Sequence, residues 1–380
     1  MEKKLKLYLK SLIKNEGSDL HIKSGAVSRV RIYGVLKLLG DEVLSAVQVD
    51  QLAQEIMTTE QYHHLNEARS LDFTYVLGEE YRFRVNFFYQ MDGLSAAFRL
   101  IPVKISTLDE LKLPEVIKTF TEIQRGLVLV TGVTGSGKST TIAALLDKLN
   151  HEEKKHIITI EDPIEFIHKD KSCLINQRAI GHDTHSFSDA LRSALREDPD
   201  IILVGEMRDL ETIDIALHAA NTGHLVFSTL HTLDAKETVD RIIGMFAKEE
   251  QNRIRASLAS VLEGVISQRL VPTIEGERTA AIEILKRTQR IQTLILESRD
   301  HEIADALIEG KEIYGTQTFD QSLLDLLREG RISEEVTLEY ASNPADMKLK
   351  IEGVGRGAIS RDNDYADQKD IFEFKDEEEA

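Results

Sequence analysis

The chain has 380 residues, of which 42% are hydrophobic and 29% are charged, a balance typical of a soluble globular protein with more than one core. Its formal net charge of −18 disfavours a general nucleic-acid binder, because phosphate backbones are bound by clustered lysines and arginines. The single cysteine, Cys173, excludes an intramolecular disulfide framework and a four-cysteine zinc site and favours a reducing, cytosolic compartment. We expect neither a signal peptide nor a membrane span, since no segment approaches the roughly 20 apolar residues that cross a bilayer.

The first 102 residues have the pattern of a small α+β domain. The predicted elements are helices at 1–16 and 49–66 and strands at Leu20–Ile22, Val30–Leu39 with a turn at Gly34, Leu71–Leu77, Tyr81–Tyr89 and Leu94–Leu100. In the strand that begins at Tyr81, aromatic and aliphatic residues alternate with arginines. We therefore expect Phe83 and Val85 to share one face of the strand, and Arg82 and Arg84 the other.

From Arg125 to about residue 350 the pattern changes to that of an α/β domain. Four short apolar runs are separated by helical stretches, at Leu127–Thr131, His156–Ile160, Ile201–Val204 and His224–Thr229. Their continuous apolarity predicts strands that are buried on both faces, as in a parallel sheet. Later elements are predicted as a strand at Ala281–Leu285 and helices near 288–297, 300–309, 317–329 and 333–341.

The remaining segments are a connection and a tail. Residues 103–124, which contain Pro114, are predicted to be a linker with a short helix. Residues 351–380 are acidic and poor in apolar side chains, so they cannot bury enough surface to offset the entropy of ordering, and we predict a disordered tail. The predicted boundaries are thus 1–102, 103–124, 125–350 and 351–380.

A phosphate-binding loop is predicted at Gly132–Ser139, where the sequence GVTGSGKS matches G-x-x-x-x-G-K-[ST] between a predicted strand and a predicted helix. The glycines let backbone N–H groups converge on phosphate oxygens. Lys138 supplies a positive charge to the phosphates, and the Ser139 hydroxyl is a ligand for Mg²⁺. The predicted cofactors are therefore ATP and Mg²⁺. The predicted binding residues are Gly132, Thr134, Gly135, Ser136, Gly137, Lys138, Ser139 and Thr140.

Two carboxylates follow predicted strands and are candidates for the catalytic acid–base group. Glu161 follows the second apolar run, and Glu206 follows the third, which has the outline of a Walker B strand. In the common motif an Asp precedes the Glu, and Gly205 takes its place here. Glu206 therefore either acts on the metal, as Ser139 does, or shares the catalytic acid–base role with Glu161. Helix capping is the alternative role for both. His231 follows the fourth run, at the edge of the sheet where ligands bind.

Several motifs together resemble the secretion ATPase superfamily, and within it the PilT/PilU-type ATPases of type IV pilus retraction and twitching motility. The motifs are the P-loop with ITIEDPIEF at Ile158–Phe166, LVGEMRD at Leu203–Asp209, STLHT at Ser228–Thr232, GSDLHI at Gly17–Ile22, RFRV at Arg82–Val85 and QRL at Gln268–Leu270. Arg290–Glu297 keeps the PilT-type signature AIRNLIRE only in part. Thr318–Gln321, Lys348–Glu352 and the acidic tail resemble the PilU-like accessory branch, so the choice of branch stays open.

The resemblance implies a RecA-like P-loop motor domain preceded by a smaller PAS-like α+β domain. It further implies a homohexamer in the cytoplasm, peripheral at the inner membrane through the pilus machine. Its implied partners are the inner-membrane pilus platform protein and a paralogous retraction ATPase, with no nucleic acid. Arg82, Arg84 and Arg99 match arginines that reach the phosphates and so join Lys138, Glu161, Glu206 and His231 as implied catalytic residues.

A retraction ATPase has three rival interpretations. One is a catalytically idle subunit that binds nucleotide without turnover, which the intact Lys138, Ser139, Glu161 and Glu206 disfavour. A pilus-assembly or type II secretion ATPase of the same superfamily typically carries a four-cysteine zinc insertion and a longer N-terminal region, which one cysteine and 380 residues disfavour. A RecA-like nucleic-acid motor is disfavoured by the acidic composition.

Overall fold

The computed structural model describes residues 1–32, 34–78, 81–101 and 104–353, so residues 354–380 of the predicted acidic tail lie outside the described residues. By their contacts the residues form two compact units. The first comprises Met1–Lys112, Thr121–Leu127 and Ser139–Thr229, and the second Leu113–Phe120, Val128–Lys138 and the described residues from Leu230 onward. None of the helices in the described ranges combines the length and the apolarity that crossing a bilayer would require.

The N-terminal part of the first unit is a six-stranded antiparallel sheet with helices packed on one face. Its elements are α1 (Glu2–Lys14), β1 (Gly17–Lys23), β2 (Ala26–Ile32), β3 (Val35–Leu44), α2 (Ala46–Ile56), α3 (Thr59–Ala68), β4 (Ser70–Leu77), β5 (Tyr81–Gln90) and β6 (Gly93–Ile101). The strand order is β3-β2-β1-β6-β5-β4, and each neighbouring pair is antiparallel. The core joins Leu5 and Leu9 of α1 to Phe83 and Phe87 of β5.

The alternation predicted for β5 is confirmed. Phe83 and Val85 have no exposed surface, whereas Arg82 and Arg84 point to solvent. Burying a phenylalanine side chain contributes on the order of 2 kcal/mol, so a one-residue slip of this strand would expose the core and bury the arginines. The hydrophobic pattern therefore fixes the register that places Arg82 and Arg84 on the open face of the sheet.

The predicted helix at 49–66 was wrong in its extent, because the structure has two helices, α2 and α3, in this region. The N-cap residue of the second is Thr58, whose hydroxyl accepts a hydrogen bond from the Gln61 N–H while the Gln61 side chain accepts one from the Thr58 N–H. This capping box satisfies backbone groups that a continuous helix would satisfy internally, so the chain can turn between the helices at little cost.

The second sheet has seven strands in the order β13-β12-β7-β11-β10-β8-β9. The elements are β7 (Gly126–Thr131), α4 (Lys138–Glu152), β8 (His156–Glu161), β9 (Leu174–Ala179), α5 (Phe187–Ala194), β10 (Ile201–Val204), α6 (Leu210–Asn221), β11 (Leu225–Leu230), α7 (Ala235–Gly244), α8 (Lys248–Val261), β12 (Leu262–Pro272) and β13 (Arg278–Lys286). Neighbours among β8–β11 are parallel, whereas β12 and β13 are antiparallel. Strands β7, β10 and β11 are buried throughout, which confirms the predicted α/β fold.

Two strands of this sheet, β9 and β12, were not predicted from the sequence. In β12, a β-carbon at Gly264 would lie 2.1 Å from Cε1 of Phe120, so only glycine fits against the ring. Phe120 belongs to a 3-10 helix at Glu115–Thr121, within the predicted linker. Glycine in a strand weakens the sequence signal, and no strand was predicted over β12.

The described part of the second unit ends in a group of helices, the last three of which form a hydrophobic cluster around Phe319 and Leu323. They are α9 (Gln289–Leu296), a 3-10 helix at Asp300–Glu302, α10 (Ile303–Glu309), α11 (Lys311–Tyr314), α12 (Phe319–Arg328), α13 (Glu334–Tyr340) and α14 (Pro344–Glu352). Four of these match the predicted helices. The last helix, α14, runs across residue 351, where the tail was predicted to begin.

Candidate functional site

The loop between β7 and α4 has the backbone that phosphate binding requires. Gly132, Gly135 and Gly137 have φ of 141°, 79° and 94°, values that side-chain-bearing residues rarely adopt. A β-carbon on Gly132 would lie 2.4 Å from the Gln268 carbonyl oxygen and 2.5 Å from Oγ of Ser136. The loop thus has a conformation that depends on its glycines and leads into the N-terminus of α4, where a helix favours a bound anion.

Two side chains line the inside of this loop. Nζ of Lys138 donates to the carbonyl oxygens of Gly132 and Val133 at 2.8 and 3.1 Å, so the ammonium group is held over the loop. Oγ of Ser136 is buried without a hydrogen-bond partner among the described residues. A buried hydroxyl without a partner costs free energy, and a phosphate oxygen is an acceptor that would satisfy it. Ser139 and Thr140 follow in the first turn of α4 and are partly buried, whereas Thr134 is exposed.

The carboxyl ends of β8, β10 and β11 are joined by hydrogen bonds just beyond the strands. The Gly205 N–H donates to the Ile160 carbonyl at 2.7 Å, and Oγ1 of Thr229 donates to the Gly205 carbonyl at 2.6 Å. Val204 is in register with both Ile160 and Ser228. Because the three strands are parallel and end together, the residues that follow them are brought to one edge of the sheet.

Gly205 departs from the common Walker B motif for a steric reason. A β-carbon at this position would lie 3.0 Å from the Ile160 carbonyl oxygen and 3.2 Å from Cα of Glu161. These contacts are tighter than most side-chain carbons have, so an aspartate would require the backbone of β8 to shift by a few tenths of an ångström. Of the common Asp-Glu pair the chain therefore keeps only the glutamate, Glu206.

Glu161 is a partly buried carboxylate held by donors on both oxygens. Oε1 accepts from Oγ1 of Thr159 at 2.7 Å and from Nε2 of Gln177 at 3.2 Å, and Oε2 accepts from the Glu165 N–H at 3.4 Å. Burial raises the pKa of Glu161, and these hydrogen bonds oppose that rise. The carboxyl borders a cavity of about 40 Å³ that Ser139, Thr229 and Gly205 also line.

Glu206 is in a different environment, since its carboxylate faces an arginine. Oε2 of Glu206 is 2.7 Å from Nη2 of Arg208, whose Nη1 lies 3.8 Å from Oδ2 of Asp162. The side chain of Glu206 is 19% exposed. The structure thus places both candidate carboxylates beyond adjacent parallel strands, with Glu161 enclosed by neutral donors and Glu206 paired with a cation.

The three predicted arginines lie together on the open face of the N-terminal sheet. Arg84 and Arg99 are directly opposite each other on β5 and β6, and Arg82 is two residues from Arg84. Nε of Arg99 donates to Oδ1 of Asp19 at 2.7 Å, and Nε of Arg84 is 3.9 Å from Oδ1 of Asp72. These acidic partners belong to the same sheet.

His231 is exposed, directly after β11, and the loop that carries it is anchored in the second unit. Oγ1 of Thr232 is 2.7 Å from Oγ1 of Thr238 on α7. The Ala235 N–H, at the start of α7, donates to Oε1 of Glu283 on β13 at 2.8 Å. Burial is the main cause that raises the pKa of Glu283 to about 7, and this backbone hydrogen bond opposes the rise.

The raised pKa of Glu283 predicts a pH-dependent stability. Because the folded chain retains a proton that the unfolded chain has lost above its ordinary pKa, stability is highest below that pKa and falls as pH rises toward 7. Glu283→Gln keeps an acceptor for the Ala235 N–H and cannot ionise. Relative to wild type, we expect it to gain roughly 2 to 3 kcal/mol of unfolding free energy between pH 5 and pH 8.

Denaturant unfolding at the two pH values measures this difference. The exposed Glu275→Gln, in the turn between β12 and β13, is the matched control and should show no such gain. An equal pH response in wild type and Glu283→Gln would contradict the assignment of a neutral carboxyl to the folded state.

Sequence analysis did not identify Gln177, Thr159 or Glu283. Gln177 lies on an unpredicted strand, and the hydrogen bonds of all three depend on the tertiary structure. Arg208 lies in the LVGEMRD motif at Leu203–Asp209, but the motif predicted no role for it. The only sequence signal was the presence of polar residues next to a strand end, which is too common to be decisive.

Comparison with known proteins shows similarity along nearly the whole chain. A family model described as a type II/IV secretion system protein matches residues 1–354. The type IV pilus retraction ATPase PilT of Pseudomonas aeruginosa is 49% identical over 334 residues, which are 88% of this chain and 97% of that protein. The type IV pilus ATPase PilU of the same organism is 38% identical over 344 residues, 90% of each chain.

A solved structure of the pilus retraction motor PilT with bound ADP has the same fold. It superposes with a TM-score of 0.84 at 42% sequence identity and covers 90% of this chain and 98% of its own. The likeness therefore includes both sheets described above and is not confined to the P-loop.

Proposed function

The chain belongs to the family of type II/IV secretion system proteins, and on that premise we propose that it is a hexameric ATPase motor of the PilT type that powers type IV pilus retraction and twitching motility. It acts in the cytoplasm, at the inner membrane, against the pilus platform protein. A paralogous retraction ATPase is a further partner. Similarity over 97% of PilT supports this assignment over a pilus-assembly, secretion or nucleic-acid motor.

The observation that carries the proposal is that Ser139, the last residue of the phosphate loop, lines the same cavity as the carboxylate residue Glu161. The backbone N–H groups of Gly132–Ser139 bind the phosphates, and the Lys138 ammonium stabilises charge on the transferred phosphoryl group. Glu206 and Glu161 orient the attacking water and accept its proton. Arg82, Arg84, Arg99 and His231 stabilise the phosphates when subunits close around ATP.

The donor set at the site fits Mg²⁺, which prefers oxygen ligands and keeps several waters. Ser139 supplies a hydroxyl directly after the lysine of the loop, and Glu206 supplies a carboxylate. A bound Mg²⁺ would offset negative charge on the phosphates during transfer. The chain places these two groups in the first turn of α4 and in the segment that follows β10.

We also propose the domain boundaries predicted from sequence: 1–102, a linker at 103–124, a motor domain at 125–350 and a tail at 351–380. The complete antiparallel sheet within the first 101 residues supports the first boundary. The tail should be dispensable for hydrolysis, since it has little apolar surface to bury.

Substitution of two arginines of the N-terminal sheet tests whether the protein acts as a ring of subunits. Arg82→Ala with Arg84→Ala should lower ATP turnover at least tenfold, because arginines that reach the phosphates from another domain stabilise transition-state charge. Lys10→Ala with Lys14→Ala removes two exposed charges from α1 of the same domain and is the control. Turnover and sedimentation are measured together. A fully active monomer, indifferent to the arginines, would overturn the ring proposal.

Gene deletion tests the cellular role. Cells without this protein should keep or gain surface pili and lose retraction and twitching, and wild-type protein should restore both. Loss of pili altogether would favour an assembly motor. Stimulation of ATP hydrolysis by single-stranded DNA would favour a nucleic-acid motor.

A further inference from the structure

Gln177 on β9 joins the candidate carboxylate Glu161 to the segment at Phe166–His168. Its Nε2 donates to Oε1 of Glu161 at 3.2 Å and to the Phe166 carbonyl oxygen at 2.9 Å, while its Oε1 accepts from the His168 N–H at 2.8 Å. A primary amide has two donor hydrogens and an acceptor at the same reach, and this side chain uses all three. The partly buried Gln177 is therefore held in one orientation.

The residues that Gln177 bonds also line a cavity, which Glu161 borders. Phe166 and His168 form part of its wall, together with Ser139 and Thr229. Its volume of about 40 Å³ is more than the 10–15 Å³ that one water requires. The same amide thus fixes a carboxylate at the edge of a water-sized space and anchors one wall of that space.

We propose that Gln177 is a positioning residue for ATP hydrolysis, which holds Glu161 toward a water in this cavity and keeps the cavity open. This inference rests on the proposed function, in which Glu161 acts on the attacking water. Thr159 donates to the same oxygen of Glu161, so two side chains fix that oxygen. A water held within hydrogen-bond reach of a fixed carboxylate loses less entropy when it reacts.

The test begins with Gln177→Met in the full-length protein, which keeps the approximate volume and removes the donors and the acceptor. We expect kcat to fall roughly tenfold to a hundredfold, the size of a small misplacement at a reacting centre. Affinity for a fluorescent ATP analogue should stay within about twofold, because the phosphate loop is untouched. Asn176→Leu, on the opposite face of the same strand, is the control and should change neither quantity.

A double-mutant cycle then tests whether Gln177 acts through Glu161 or has an independent structural effect on turnover. If Gln177 acts through Glu161, adding Gln177→Met to Glu161→Gln should cost little further turnover, whereas independent effects would multiply. Turnover is measured with radiolabelled ATP so that low rates are quantified. If Glu161→Gln leaves none to measure, Thr159→Val replaces it, and its combined loss with Gln177→Met should be less than the product of the two.

Each outcome decides between the two proposals. Unchanged kcat in Gln177→Met, a parallel loss of nucleotide affinity, or multiplicative losses in the cycle would overturn the inference about Gln177 while ATP hydrolysis stands. Absence of turnover in the unsubstituted protein would overturn the proposed function and this inference with it. A selective loss of kcat that disappears in the Glu161→Gln background supports the positioning role.

Discussion

Lys138→Ala is expected to remove at least nine tenths of ATP turnover while the protein stays folded. Loss of the ammonium removes electrostatic stabilisation of the transferred phosphoryl group, and such interactions contribute several kcal/mol. The same nitrogen bridges the carbonyls of Gly132 and Val133, so nucleotide affinity should fall as well. Phosphate release by the purified variant measures the effect.

Lys148→Ala is the matched control for this substitution. It removes a lysine from the same helix, α4, where Lys148 pairs with Glu152 and lies away from the loop. Its turnover should match that of wild type. Retention of more than about a tenth of wild-type activity by Lys138→Ala would refute the assignment of the phosphate site, given the size of the electrostatic effect.

Glu206→Gln should reduce turnover by roughly a hundredfold or more and leave ATP binding intact. The amide keeps the shape of the carboxylate but loses its charge and basicity, and proton transfer by a positioned side chain contributes about 10²–10⁴ in rate. It also removes the ion pair with Arg208, which held the carboxylate at 2.7 Å. Glu161→Gln should impair turnover too, through loss of the second carboxylate.

Glu211→Gln, an exposed change on α6 that removes an ion pair with Arg192, controls for loss of a nearby charge. Binding is measured with a fluorescent nucleotide and turnover by phosphate release. Near-normal hydrolysis by Glu206→Gln, with binding confirmed, would show that the catalytic carboxylate lies elsewhere.

The fold could be predicted where one physical effect dominated. Strands β7, β8, β10 and β11 are apolar runs because both their faces are covered, so their sequences could be read directly. The edge strand β9 could not, because its polar residues make hydrogen bonds that only the folded chain creates. The break between α2 and α3 was signalled by the spacing of Thr58 and Gln61, but it lay inside a longer helical pattern.

In the candidate site, too, local features could be predicted from the sequence, whereas contacts between distant segments could not. The P-loop is a local structure, so its position and residues could be predicted from the sequence, and the structure adds the positive φ at Gly132 and Gly135. Contacts between distant segments were not predictable, such as those of Gln177 and Glu283. Thr318 and Gln321, which had suggested the accessory branch, form a capping box at the start of α12 and so have a structural role. They are therefore weak indicators of branch.

The narrow space at Gly205 limits how this enzyme could be altered. Gly205→Asp would restore the common Walker B pair, yet its β-carbon would press on the Ile160 carbonyl and the Glu161 backbone. The backbone that carries Glu161 would thus have to shift by a few tenths of an ångström to accommodate the added side chain. Among homologues, we expect the residue at this position to vary with the size of the backbone gap between the two strands. Searches for related motors should accordingly accept glycine before the glutamate.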